Sequence, residues 1–103
     1  MSKRLLFLEK MVADGKADSF GHYCLALEYK GLSRVDDALA TFHALRAKDA
    51  AYVPMYLMCG SMLIDAQRSD EAREWLLAGK EAAGRAGDSK ALGEIGDALA
   101  RLE

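Results

Sequence analysis

Residues 25–42 read LALEYKGLSRVDDALATF, and residues 59–76 read CGSMLIDAQRSDEAREWL. The first stretch admits two readings. Asp36–Asp37, with Tyr29 before and His43 after, could be acid/base equipment, or it could be the start of a helix. Adjacent helical residues point about 100° apart, so the two aspartates do not converge on one cleft, as paired catalytic carboxylates must. Acids in a first helical turn face the positive end of the macrodipole and stay solvated. Asp70–Glu71 holds the same place in the second stretch. The aspartates are therefore read as a helix start.

Working outward, apolar spacing predicts six helices and no strands, since Ala, Leu, Met, Glu, Lys and Arg dominate and no β-branched run alternates. The first covers about residues 3–13 and closes at Gly15. The second, about 19–30, is capped by Asp18 or Ser19 and closes at Gly31, expected as the left-handed residue after the helix. Ser33 is expected to cap a third helix whose stripe is Val35, Ala38, Leu39, Phe42 and Leu45. A fourth begins near Val53 with Pro54 early, where a missing N–H is harmless, and ends near Ala66–Gln67. Ser69 is expected to cap a fifth (Ala72, Trp75, Leu76, Gly79). A sixth follows Gly87–Asp88 through Leu92, Ile95, Leu99 and Leu102. Loops of a few residues imply antiparallel neighbours.

A shift of 34 residues places Leu25 on Cys59, Ala26 on Gly60, Tyr29 on Leu63, Ala38 on Ala72, Phe42 on Leu76 and Leu45 on Gly79. DDALATF then answers DEAREWL without a gap, although Ser33 falls on Gln67 rather than on Ser69. This pattern resembles the tetratricopeptide repeat family, whose unit carries bulky, apolar, small and aromatic residues in its first helix and a spaced alanine and aromatic in its second. The first unit reads His22, Leu25, Ala26, Tyr29, Ala38, Phe42; the second reads Tyr56, Cys59, Gly60, Leu63, Ala72, Leu76. His22 stands where the family has a bulky apolar residue, and Ala50 and Gly84 stand where it often has proline. The resemblance implies an all-α, right-handed superhelical stack of antiparallel helix hairpins, an α-solenoid of about six helices. One domain, 1–103, would comprise an incomplete unit (1–15), repeats at 19–52 and 53–86, and a capping helix at 88–103.

Composition narrows the functions. Residues 1–52 carry eight Lys/Arg against seven Asp/Glu, and residues 53–103 carry six against nine. Neither half forms the basic footprint of a nucleic-acid binder. No apolar stretch reaches the roughly 20 residues of a membrane span. Glu9 and Lys10 interrupt the short apolar patch at the start, which argues against a signal peptide and for a cytoplasmic protein. Cys24 and Cys59 fit no zinc spacing and read as small apolar residues; a metal site of His22, His43, Cys24 and Cys59 has little support from their dispersed spacing. His43 reads as a surface histidine and His22 as a partly buried one. No phosphate loop, GxSxG or HExxH motif occurs. No catalytic residue, metal or cofactor is expected.

In the family, the first helix of each unit lines the concave side. On that resemblance the partner-binding residues are Phe20, Tyr23, Leu27 and Lys30, together with Pro54, Leu57, Ser61, Ile64 and Asp65. The family's best-known members grip a carboxylate with Lys and Asn on these helices; Tyr23, Leu27, Leu57 and Ser61 suit an apolar peptide or an amphipathic helix instead. Either this strip is open or the first and sixth helices cover part of it. The expected function is a non-catalytic module binding a protein or peptide partner. The alternatives are a structural homodimer, joined through that strip or through Leu5, Leu6, Phe7 and Leu8, and a small metal-dependent or hydrolytic enzyme using the histidines and acids.

Overall fold

The helix ends show how local chemistry lays out the chain. In the computed structural model, which describes residues 2–103, six α-helices follow one another: α1 (Lys3–Ala13), α2 (Ser19–Gly31), α3 (Val35–Lys48), α4 (Val53–Asp65), α5 (Ser69–Ala86) and α6 (Ser89–Ala100). No strand occurs among the described residues. Ser2, Asp18 and Asp88 cap α1, α2 and α6 by accepting from the backbone N–H three residues on, at 3.3, 2.8 and 3.0 Å. Of the two residues considered at the start of α2, Asp18 is the cap.

The expected serine caps of α3 and α5 are corrected. Neither helix has a side-chain cap; the flanking residues are Arg34 and Arg68. Ser33 instead sits in the left-handed region at φ 60°, and so does Gln67 at φ 62°. Each closes the preceding helix with the same pair of bonds. Ser33 N–H donates to the Lys30 carbonyl and Arg34 N–H to Tyr29, at 3.0 and 2.9 Å; Gln67 N–H donates to Ile64 and Arg68 N–H to Leu63, at 2.9 and 2.8 Å. This is the Schellman closure that Gly15 and Gly87 also supply, with positive φ as glycine readily allows. Gly31 is merely the last residue of α2, not its left-handed stop. The 34-residue register therefore holds through the turn: Ser33 and Gln67 are equivalent, in a role different from capping.

The arginines after these closures are equivalent too. Arg34 Nε reaches Asp37 Oδ2 at 2.8 Å, and Arg68 Nε reaches Glu71 Oε1 at 2.7 Å. An acid at this point thus meets both the dipole and the arginine that enters the helix.

The helices gather into two compact units, one ending at Asp49 and one spanning Ala50–Glu103. In the first, α2 packs on α3 and α1 packs on α2. Ser19 Oγ donates to Asp49 Oδ2 at 2.8 Å, joining the start of α2 to the end of α3. Tyr29 OH donates to Glu9, tying α2 to α1. In the second unit, α4 packs on α5, and α6 packs on both. Its core includes Val53, Leu76, Ala83, Ile95 and Ala98.

The repeat positions are contact positions. Leu25, Ala26, Tyr29, Ala38 and Phe42 are buried, as are Cys59, Gly60, Leu63, Ala72 and Leu76. A Cβ on Gly60 would lie 2.5 Å from Leu76 Cδ2, and one on Gly79 would lie 2.4 Å from Tyr56 Cβ. Both separations are well inside van der Waals contact, so α4 and α5 touch through glycine at two levels. Shifted back by 34, Tyr56 and Gly79 become His22 and Leu45. His22 is half-buried there and Leu45 fully buried.

Candidate interaction faces

Each unit is built upward from its first helix. On α2, about 100° per residue puts Phe20, Tyr23, Leu27 and Lys30 on one stripe, roughly half a turn from the buried side chains of Leu25 and Tyr29. Phe20 is 62% exposed, while Tyr23, Leu27 and Lys30 are half-buried. The structure therefore gathers all four sequence-derived residues of α2 on one face. An aromatic exposed to that degree retains a large apolar area to bury on contact.

On α4, the five expected residues divide. Pro54 is exposed near the helix start. Leu57 and Ile64 are half-buried, packed against the core cluster to which α6 contributes Ile95 and Ala98, with Leu99 and Leu102 beside them. Asp65 meets Arg101, the residue just after α6, at 3.3 Å. Ser61 lies with Leu57 in a depression completed by Met58, by Glu94, Asp97 and Ala98 of α6, and by Arg101 just after it. Of the two states open to this strip, the α4 portion is thus partly covered by α6. What remains open is a depression with an apolar floor and a charged rim.

Met58, Glu94, Asp97 and Arg101 line this candidate face without being among the residues expected from the sequence. Glu94, Asp97 and Arg101 recur at three and four residues along the exposed side of α6, a readable stripe, but only the return of α6 onto α4 gives it a floor. Neither Glu94 nor Asp97 has an ion-pair partner among the described residues, whereas Arg101 holds Asp65.

The residues first suspected of chemistry are dispersed. Asp36 and Asp37 are exposed at the start of α3. The ring Nδ1 of His22 lies 3.0 Å from the Asp18 carbonyl, to which an Nδ1–H donates across one helical turn. Cys59 is buried and Cys24 half-buried, both as free thiols. Among the described residues no three His, Cys, Asp or Glu side chains gather as a metal site, and no helix is long and apolar enough to cross a membrane.

The Tyr29 phenol is strongly perturbed. Tyr29 is pushed up from 10.0 to about 12, first by burial and then by its hydrogen bond to Glu9, whose charge also disfavours a phenolate. Arg34, 4.7 Å from the ring centroid, pulls the other way. The group ties α2 to Glu9 of α1 and to Arg34 at the entrance to α3, which is a structural role.

Known proteins share this architecture. A crystallographically determined tetratricopeptide repeat domain protein from Salinibacter ruber is similar at 33% identity over 82% of this chain and 96% of its own, with a TM-score of 0.75. A solution structure of a tetratricopeptide repeat domain protein from Salinibacter ruber is 34% identical over 84% of this chain and 87% of its own, with a TM-score of 0.77. A Bordetella parapertussis protein, also solved in solution, is 26% identical over 99% of this chain and 89% of its own, at a TM-score of 0.83. No protein-family model and no curated protein matches the chain.

Proposed function

The chain belongs to the tetratricopeptide repeat family, and on that premise we propose that it is a non-catalytic protein-interaction module holding a helix or an apolar peptide of a partner. The observation that carries this reading is the α2 face, where Phe20 stands 62% exposed beside Tyr23, Leu27 and Lys30. Rigid aromatic and apolar side chains on a helix supply contact area at low entropic cost, and such residues dominate the energetics of protein interfaces. On α4, Pro54, Leu57 and Ser61 offer a second apolar surface, with Ile64 and Asp65 at its far end against α6. The repeats run over 19–52 and 53–86 within one domain, 1–103, flanked by an incomplete unit at 1–15 and a capping helix at 88–103.

Affinity capture from the source organism, followed by binding measurements with the purified partner, tests this. Phe20→Ser with Tyr23→Ala should abolish binding while the helices are kept, as circular dichroism would check, because Phe20 is exposed and Tyr23 only half-buried. Leu57→Ala should weaken binding with a small loss of stability, because Leu57 also packs against the core. Undiminished binding by the α2 double variant would remove the assignment.

A further inference from the structure

The first helix is sharply two-faced. Leu5 and Leu8 are buried and Val12 half-buried, whereas Leu6 is 51% and Phe7 63% exposed. At about 100° per residue, Lys3, Leu6, Phe7 and Lys10 fall within about a third of the helix circumference, opposite Leu5, Leu8 and Val12. This outer face is an apolar pair flanked by two exposed ammonium groups, one of which, Lys10, meets the exposed Asp14 at 3.3 Å. A surface pair of that kind exchanges partners at little cost.

The depression between α4 and α6 in the second unit has the complementary chemistry. Its floor is Leu57, Met58 and Ala98, and its rim carries Glu94 and Asp97, neither with an ion-pair partner among the described residues. The third rim charge, Arg101, is engaged by Asp65. An apolar floor under two uncompensated carboxylates matches an apolar pair between two ammoniums.

We infer that the occupant of the α4–α6 depression is α1 of a second copy of this chain. Phe7 and Leu6 would enter over Leu57 and Met58. Lys3 and Lys10, about 10 Å apart along α1, would reach Glu94 and Asp97. Both halves of the contact are present on every molecule, so the chain is its own ligand. This inference rests on the reading that α4 presents a binding face and names what fills it.

Sedimentation velocity on the full chain, up to about 0.5 mM and at low and high salt, tests this. The chain should self-associate, more weakly as salt rises. Phe7→Ser should weaken association by about tenfold or more. Glu94→Lys with Asp97→Lys, and separately Lys3→Glu with Lys10→Glu, should each abolish it at low salt, because both faces of each variant then carry one sign. An equimolar mixture of these two charge-reversed variants should associate again, since each face then meets its opposite. Circular dichroism would confirm that all five exposed substitutions keep the helices. A strictly monomeric chain, association indifferent to these substitutions, or a mixture that stays monomeric would each overturn the inference. Loss of foreign-partner binding in the α2 variant alongside a monomeric wild type would refute self-association while supporting the proposed function. Intact, charge-dependent association with unchanged partner binding in that variant would do the reverse.

Discussion

Two glycines on one helix should respond to alanine with opposite signs. Alanine is favoured over glycine in a helix interior by about 1 kcal/mol. At Gly84 of α5 a Cβ would meet nothing within 4 Å, so Gly84→Ala should stabilise the chain by about 0.5–1 kcal/mol. At Gly79, five residues earlier, the same Cβ would lie 2.4 Å from Tyr56 Cβ, 3.1 Å from Tyr56 Cγ and 3.2 Å from Ile95 Cδ1. Rotating Tyr56 cannot relieve the first contact, because a Cβ does not move with χ1. The helices α4 and α5 must part instead, and their interface includes the buried Trp75, whose ring centroid is 6.0 Å from that of Tyr56. Overpacking of this kind costs about 1–3 kcal/mol. Subtracting the propensity gain of about 1 kcal/mol leaves Gly79→Ala less stable than the parent by about 1 kcal/mol at the middle of that range and about 2 kcal/mol at its top. Urea denaturation followed by circular dichroism measures both variants, and their thermal midpoints should differ by on the order of 10 °C. Gly79→Ala at or above the parent's stability would mean that α4 and α5 do not meet through this glycine.

Ser33→Gly and Gln67→Gly place glycine at the two left-handed closures (φ 60° and 62°) and should each stabilise by about 0.5 kcal/mol, net of the entropy glycine adds to the unfolded chain; thermal melts showing a loss would contradict the assigned closures. Tyr29 holds its proton more tightly folded than unfolded, so its contribution is complete below about pH 10 and is lost as pH rises towards 12. Tyr29→Phe should therefore flatten the alkaline loss of stability in that window, and ultraviolet titration should lose a phenol that ionises near pH 12. Ile95→Ala empties a fully buried site on α6 and should cost about 2–4 kcal/mol in chemical denaturation, where a cost under about 1 kcal/mol would detach α6 from the core.

Much of the architecture was legible in the residues because the signals were local and redundant. Gly15 and Gly87 end α1 and α5 where glycine is expected, and Asp18 caps α2 by the ordinary mechanism. The turn at Ser33 was not legible. Gly31 lies two residues earlier and looks like the stop, but the preference of glycine for a left-handed residue is only about 1 kcal/mol. Burial of Tyr29 near the end of α2, with the bond from Arg34 N–H to its carbonyl, outweighs that preference and carries the helix past the glycine. The same account explains Gln67, which no turn propensity marks. On the candidate faces, Phe20, Tyr23, Leu27 and Lys30 were named from the family resemblance, and they share one side of α2 because they lie on a single helix. Glu94 and Asp97 were missed because their meaning depends on a helix more than 30 positions away.

The repeat of small and apolar residues at a spacing of 34 was sufficient to specify two helix hairpins and the family. Ala26, Gly60, Ala38 and Ala72 recur because close helix contact tolerates nothing larger, a constraint written at each position. Which surface of α4 stays open was decided by tertiary packing. Ile95, Ala98, Leu99 and Leu102 return α6 onto Leu57 and Ile64 and convert a strip into a depression with an acidic rim. Those apolar side chains gain their burial from partners distant along the chain, so the long-range packing that stabilises α6 is also what shapes the depression.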